Sequence, residues 1–169
     1  MATSLPEEDV MFLRLASLLH RIAPRAVRRS SGVSSDKFDV SLMVCLLRHF
    51  TDLDIQDNLP SKTIHTTAAD ISRIKLYRNY IVHSDSGKVT EDTFLEIWNC
   101  VVEAIIRLLP EIKPEIDDLK SSSLTNVGDI KHVLRLEKEL EKNNQHLSAI
   151  NHKLETLDIQ HNNIRDISD

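Results

Sequence analysis

Apolar residues recur at helical spacing through the first two thirds of the chain. Val10, Leu13, Leu18 and Ile22 form one stripe, widened by Phe12, Leu15 and Leu19. Ser4 and Glu7 stand at capping-box spacing before it, with Pro6 in the first turn. Pro24 should bend or end this helix, or start a last irregular turn. The Ser-rich "RSSGVSSD" then reads as a loop. A second helix follows, with Phe38, Leu42, Cys45, Leu46 and Phe50 expected on its inner side. Residues 52–66 show no period and contain Pro60, so they read as a long connection. A third helix, "AADISRIKLYRNYIV", carries Ile71, Ile74 and Ile81 with Tyr77 close by, and Thr66 or Thr67 can cap it. A fourth starts after Thr90 and presents Phe94, Ile97, Trp98, Val101, Ile105 and Leu108; Pro110 and Pro114 stop it. Each stripe must be buried against the others, so residues 1–110 are expected to form an all-α helical bundle.

Residues 111–129 read as a linker. Beyond it the period changes. Val133, Leu136, Leu140, Asn143, Leu147, Ile150, Leu154, Leu157, His161 and Ile164 alternate by three and four, and eight of the ten are apolar. This is the pattern of a coiled coil over 130–168, whose narrow seam invites self-association or a partner helix. Asn143 and His161 on that seam are suited to fixing register or oligomer number.

Composition narrows the function more than the fold. The chain has 169 residues, a net charge of −5 and 28% charged residues. Charges nearly balance over 1–110 and turn acidic beyond, so no basic body exists to bind nucleic acid by bulk electrostatics. Arg21, Arg25, Arg28 and Arg29 form the basic cluster; Arg25, Arg28 and Arg29 are the candidates for RNA-phosphate contact, set against the plainer reading of a solvated helix end. Cys45 and Cys100 are expected to be buried free thiols, since no disulfide framework or metal spacing appears. With no signal peptide, membrane-spanning run or Asn-x-Ser/Thr site in the sequence, an intracellular, reducing, cytoplasmic location is expected. No cofactor or metal motif is found, and Trp98 at a stripe position reads as core rather than as a base-stacking platform.

The segment "LYRNYIVHSDSGK" holds the chemistry that stands out. Histidine titrates closest to neutrality, and arginine can grip a phosphate through two parallel hydrogen bonds. RNA cleavage without a metal needs both, a base for the ribose 2′-OH and a cation for the phosphorane. Yet Arg78 and His83, five apart, lie about 140° apart on a helix, whereas Asn79 and His83 share a face. Either the helix ends before His83, or Arg78 reaches around it, or a second copy completes the site. The plain alternative is that Arg78 pairs with Asp85 or Asp70 and that His83 only favours the negative end of the helix.

"RNYIVH" resembles the Arg-x4-6-His signature of HEPN domains. Its surroundings, "GVSSDKFDVSLMVCLLRHF" and "DISRIKLYRNYIVHSDSGKVTEDTFLEIWNCVVEAI", are similar to the HEPN subfamily of the DAZ-interacting zinc-finger E3 ubiquitin ligase, over roughly residues 28–110. The ligase's RING finger has no counterpart here, so ubiquitin transfer is not implied. The resemblance implies an up-and-down helical bundle that dimerises through its motif helices. It implies either an oligomerisation and interaction module, with RNA as a further partner, in intracellular signalling or defence, or a metal-independent endoribonuclease. In the second case Arg78 and His83 would be catalytic and Asn79 the supporting polar residue.

Overall fold

The computed structural model describes residues 6–32 and 40–121, and scattered positions between 135 and 156. The chain divides into two compact units, 1–131 and 132–169. All described secondary structure is helical. Among the described residues no helix is long and apolar enough to cross a membrane.

In the first unit, α1 (Glu7–Ser17), a π-turn (Leu18–Ile22) and α2 (Ala23–Ser31) form one unbroken helical run. Ser4, expected as a cap, lies outside the described residues; the amides of Asp9 and Val10 instead donate to the Pro6 carbonyl at 3.1 Å. The run does not end at Pro24. A proline inside an α-helix lacks a donor and collides with the carbonyl four residues back, here that of His20. The wider turn absorbs both problems, closing with the Ala23 amide on the Leu18 carbonyl, while Pro24 sits in the first turn of α2. Leu13, Leu15, Leu18, Leu19 and Val27 are fully buried along this run. Burial contributes about 1.5–3 kcal/mol per large side chain. Gly32, at φ 68°, ends it in the left-handed conformation that glycine adopts without strain.

Helix α3 (Val40–Phe50) turns a different face inward from the one expected. Val40, Met43, Val44 and Leu47 are buried, while Leu42, Cys45 and Phe50 are exposed, Phe50 by 81%. Phe38 lies outside the described residues. Cys45 is therefore a surface thiol, and Cys100 is only partly buried.

The long connection is ordered by side chains of its neighbours. Arg48 donates through Nε and Nη2 to the Ile55 carbonyl at 2.9 and 2.6 Å, and the Gln56 amide donates to Ser72 Oγ at 2.8 Å. Asp57 pairs with Arg48 at 2.9 Å and with Lys75. The connection leads into α4 (Thr67–Val82), capped by Thr66, whose Oγ1 accepts from the Ala69 amide at 3.2 Å. Thr90 caps α5 (Glu91–Leu108) likewise, accepting from the Thr93 amide. These two helices make the most extensive pairing in the bundle, and α5 also packs on α1 and α2. Trp98 is core, as its stripe position suggests, tilted against Phe94 at 5.3 Å between ring centroids.

A short 3-10 turn (Pro110–Ile112) and α6 (Lys113–Ser121) follow, inside the segment read as a linker. Ile112 and Ile116 are buried, and α6 packs on α1 and the π-turn.

In the second unit the described positions are helical and exposed. Ile150, 52% exposed, is the one seam residue among them. Val133, Leu136, Leu140, Asn143, Leu147, Leu154, Leu157, His161 and Ile164 lie outside the described residues.

Candidate functional site

Helix α4 positions the motif, and a buried ionic cluster positions α4. Asp70, in its first turn, is 1% exposed. It accepts from Arg73 Nη1 at 2.9 Å and from Arg107 of α5 through Nε at 2.9 Å and Nη2 at 2.7 Å. Arg73 also donates through Nη2 to the carbonyls of Ser61 and Ile64, at 2.7 and 2.6 Å. One carboxylate thus ties α4 to α5, and one guanidinium ties α4 to the preceding connection. A buried charge is tolerable only when paired and hydrogen-bonded, and both conditions are met here. Asp70 is accordingly committed to Arg73 and Arg107.

Arg78 lies about two turns beyond Asp70 and is 5% exposed. Its Nη1 donates to Asn79 Oδ1 at 3.2 Å. Asn79 also reaches the third motif residue, because its carbonyl accepts from the His83 amide at 3.0 Å. Asn79 therefore links the arginine by its side chain and the histidine by its backbone. Of the three arrangements open from the sequence, the helix ends before His83: α4 stops at Val82, and His83 occupies the cap at φ −87° and ψ 0°. Its side chain is exposed, and the Ser84 amide closes the turn on the Ile81 carbonyl at 3.3 Å. In the loop that follows, the positive φ falls at Gly87, and Val89 then docks the loop in the core.

Arginine and histidine thus have opposite situations within one protomer: the guanidinium is inside the bundle and the imidazole faces solvent. The open face of α4 is instead made by Leu76, Asn79, Tyr80 and His83, at positions i, i+3, i+4 and i+7. Leu76 and Asn79 are partly exposed, Tyr80 is 48% exposed and His83 exposed. Tyr80 lies inside "RNYIVH" yet belongs to neither stripe nor signature, which is why reading the sequence passed over it.

None of the motif residues lines the cavity beside α4 and α5. That pocket, about 300 Å³, lies between the connection, α4 and α5 and includes Tyr77, Cys100 and Arg107. Burial and the neighbouring Cys100 push the Tyr77 phenol up to about 12, and burial likewise raises the Cys100 thiol. Both groups are held in their neutral forms, which suits a wall better than a nucleophile. No group of three His, Cys, Asp or Glu residues among those described could hold a metal ion.

The basic cluster is only partly open. Arg25 Nη1 pairs with Glu115 Oε2 of α6 at 2.5 Å, with both side chains 48% exposed. Arg21 and Arg29 are exposed and Arg28 is partly buried.

The family model described as DZIP3/hRUL138-like HEPN matches residues 20–131, two thirds of the chain, spanning α2 to α6 and the whole Arg78–His83 segment. No curated protein and no solved structure matches the chain significantly. HEPN domains commonly oligomerise. A helical bundle carrying Arg78, Asn79 and His83 at the end of its central helix pair, and matched over that extent, belongs to the DZIP3/hRUL138-like branch of the HEPN domain family.

Proposed function

We propose that the chain is an oligomerisation and interaction module, working in an intracellular signalling or defence setting, whose bundle pairs with a second copy through the open face of α4. The observation that carries this reading is Tyr80, 48% exposed between Asn79 and His83 on the motif helix. A tyrosine offers a large contact area and a polar tip, and such residues anchor protein interfaces. Pairing about a two-fold axis at this face would bring two copies of Asn79 and His83 towards each other. The coiled coil proposed for 130–168 would add a second point of attachment and raise the effective concentration of the bundles. RNA is a further partner, through Arg25, Arg28 and Arg29.

Sedimentation of the full chain tests this. Tyr80→Asp should lower the particle mass while circular dichroism stays unchanged, and Leu147→Asp should lower it separately through the seam. A full chain that sediments as a monomer at micromolar concentration would reject self-association.

The second reading is a metal-independent endoribonuclease with an Arg-x4-His site at the dimer interface. Its support is His83, which sits outside the helix with its imidazole exposed and so could exchange a proton with a bound 2′-OH. Arg78 weighs on the other side, because a guanidinium 5% exposed does not reach a phosphate in solvent without rearrangement. Cleavage of single-stranded RNA in EDTA decides between them. Activity abolished by His83→Ala and by Arg78→Ala, in folded protein, would make Arg78, Asn79 and His83 the catalytic set.

A further inference from the structure

The contact between the π-turn and α6 joins three observations that the motif does not use. First, Ser17 is 1% exposed, and its hydroxyl has no hydrogen-bond partner. Second, that residue lines a crevice of about 170 Å³ with Arg21, Ile22, Glu115, Asp118 and Leu119. Third, Arg25, one turn beyond Arg21, is bound by the Glu115 carboxylate at 2.5 Å. An unused hydroxyl and the Arg21 guanidinium in the crevice, with Arg25 one turn beyond it, are donors suited to the phosphates of one strand. In this structure a glutamate carboxylate occupies the anion's place on Arg25.

Helix α6 is held on the bundle chiefly by Ile112 before it and Ile116 within it, both buried. The Glu115–Arg25 link is an ion pair in water, which is weak and screened by salt. A polyanion that neutralises several arginines at once also releases counterions, which one carboxylate cannot match.

We propose that α6 is an acidic strap that competes with the phosphates of single-stranded RNA for Arg21 and Arg25. Glu115 and Asp118 hold the crevice closed to the strand, and the Ser17 hydroxyl gains a partner when a phosphate replaces them. The inference rests on the reading of RNA as a partner through Arg25, Arg28 and Arg29.

Fluorescence anisotropy of a short labelled single-stranded RNA, in EDTA and over a salt series, tests it on the full chain. The double variant Glu115→Gln/Asp118→Asn keeps both isoleucines and should bind roughly three- to tenfold tighter at low salt. The slope of log K against log salt should steepen by about one to two as the two arginines meet phosphates. Adding Arg25→Ala to the double variant should remove most of that gain. If the double variant loses helix, Glu115→Gln alone carries the same expectation with a smaller gain. Equal affinity and slope in wild type and variant, with binding still lost in Arg28→Ala/Arg29→Ala, would overturn the strap and leave the RNA face standing. Binding indifferent to Arg25, Arg28 and Arg29, or no binding by either protein, would overturn the face and the strap together.

Discussion

Arg107 of α5 grips Asp70 of α4 with two hydrogen bonds, Nη2 to Oδ1 at 2.7 Å and Nε to Oδ2 at 2.9 Å. The two residues are 37 positions apart in sequence, so the pair clamps the helix that carries the motif to the helix it packs on most extensively. Asp70 also neutralises Arg73, which is 2% exposed. Asp70→Ala should therefore strand a buried guanidinium and cost about 3–5 kcal/mol. A urea titration should show the midpoint falling by about 2 M. Arg107→Ala removes a partner whose side chain is 29% exposed and leaves Arg73 to hold the carboxylate, so its midpoint should fall less.

Tyr77 offers a pH signature of the same packing. Burial, with Cys100 next to it, pushes its phenol up to about 12. An unfolded tyrosine ionises near about 10, so between these values the folded chain holds a proton that the unfolded chain has lost. The contribution to stability is full below pH ~10 and is lost as the pH rises through about 12. Phenolate absorbance at high pH should show a late step near 12 that disappears in Tyr77→Phe.

The two thiols should separate by reactivity. Cys45 is exposed on α3, whereas Cys100 is partly buried and burial raises its pKa. At neutral pH a maleimide should label Cys45 about tenfold faster or more, because the thiolate is the reacting form. Mass spectrometry of Cys45→Ser should then find only the slow phase, and denaturant should bring Cys100 up to the fast rate.

Ser17 should be a stabilising position to replace. Its hydroxyl is buried without a partner, and such a group costs about 1–3 kcal/mol relative to an apolar one. Ser17→Ala should raise the melting temperature by roughly 3 °C, while weakening RNA binding if the crevice receives a phosphate. Calorimetry and anisotropy on the same variant would read the two effects in opposite directions.

The sequence makes the helix starts legible wherever a threonine can turn its oxygen onto a free amide, as Thr66 and Thr90 do. It makes α5 legible because one stripe, from Phe94 to Ile105, is continuously apolar, while Glu91, Asp92, Glu96, Asn99 and Glu103 mark the exposed side. Helix α3 defeats the same method. Val40, Leu42, Met43, Val44, Cys45, Leu46 and Leu47 surround most of the helix, so periodicity alone does not choose between two apolar faces. Packing chose Val40, Met43, Val44 and Leu47. Helix α6 had a signal in Ile112, Ile116 and Leu119, spaced four and three, which the two neighbouring prolines obscured.

The candidate site divides similarly. The signature identified Arg78, Asn79 and His83, and the helix does end where His83 begins. Periodicity could not say that Arg78 would be inside and Tyr80 outside, because that depends on how α4 is rotated against α5. The rotation is set by Asp70 and Arg107, a pairing across 37 residues that no local pattern announces.

The π-turn has one more consequence. A turn that closes on the fifth residue back holds one residue more than an α-turn, and each residue in an α-helix advances the direction by about 100°. The surplus residue therefore sets the azimuth of everything downstream in the run. Deleting one residue between Leu18 and Ile22 would leave the bundle's first stripe in phase and swing Arg25, Arg28 and Arg29 to another side of the molecule. Which way this protein's arginines point is thus a matter of counting, decided by a proline that the helix had to make room for.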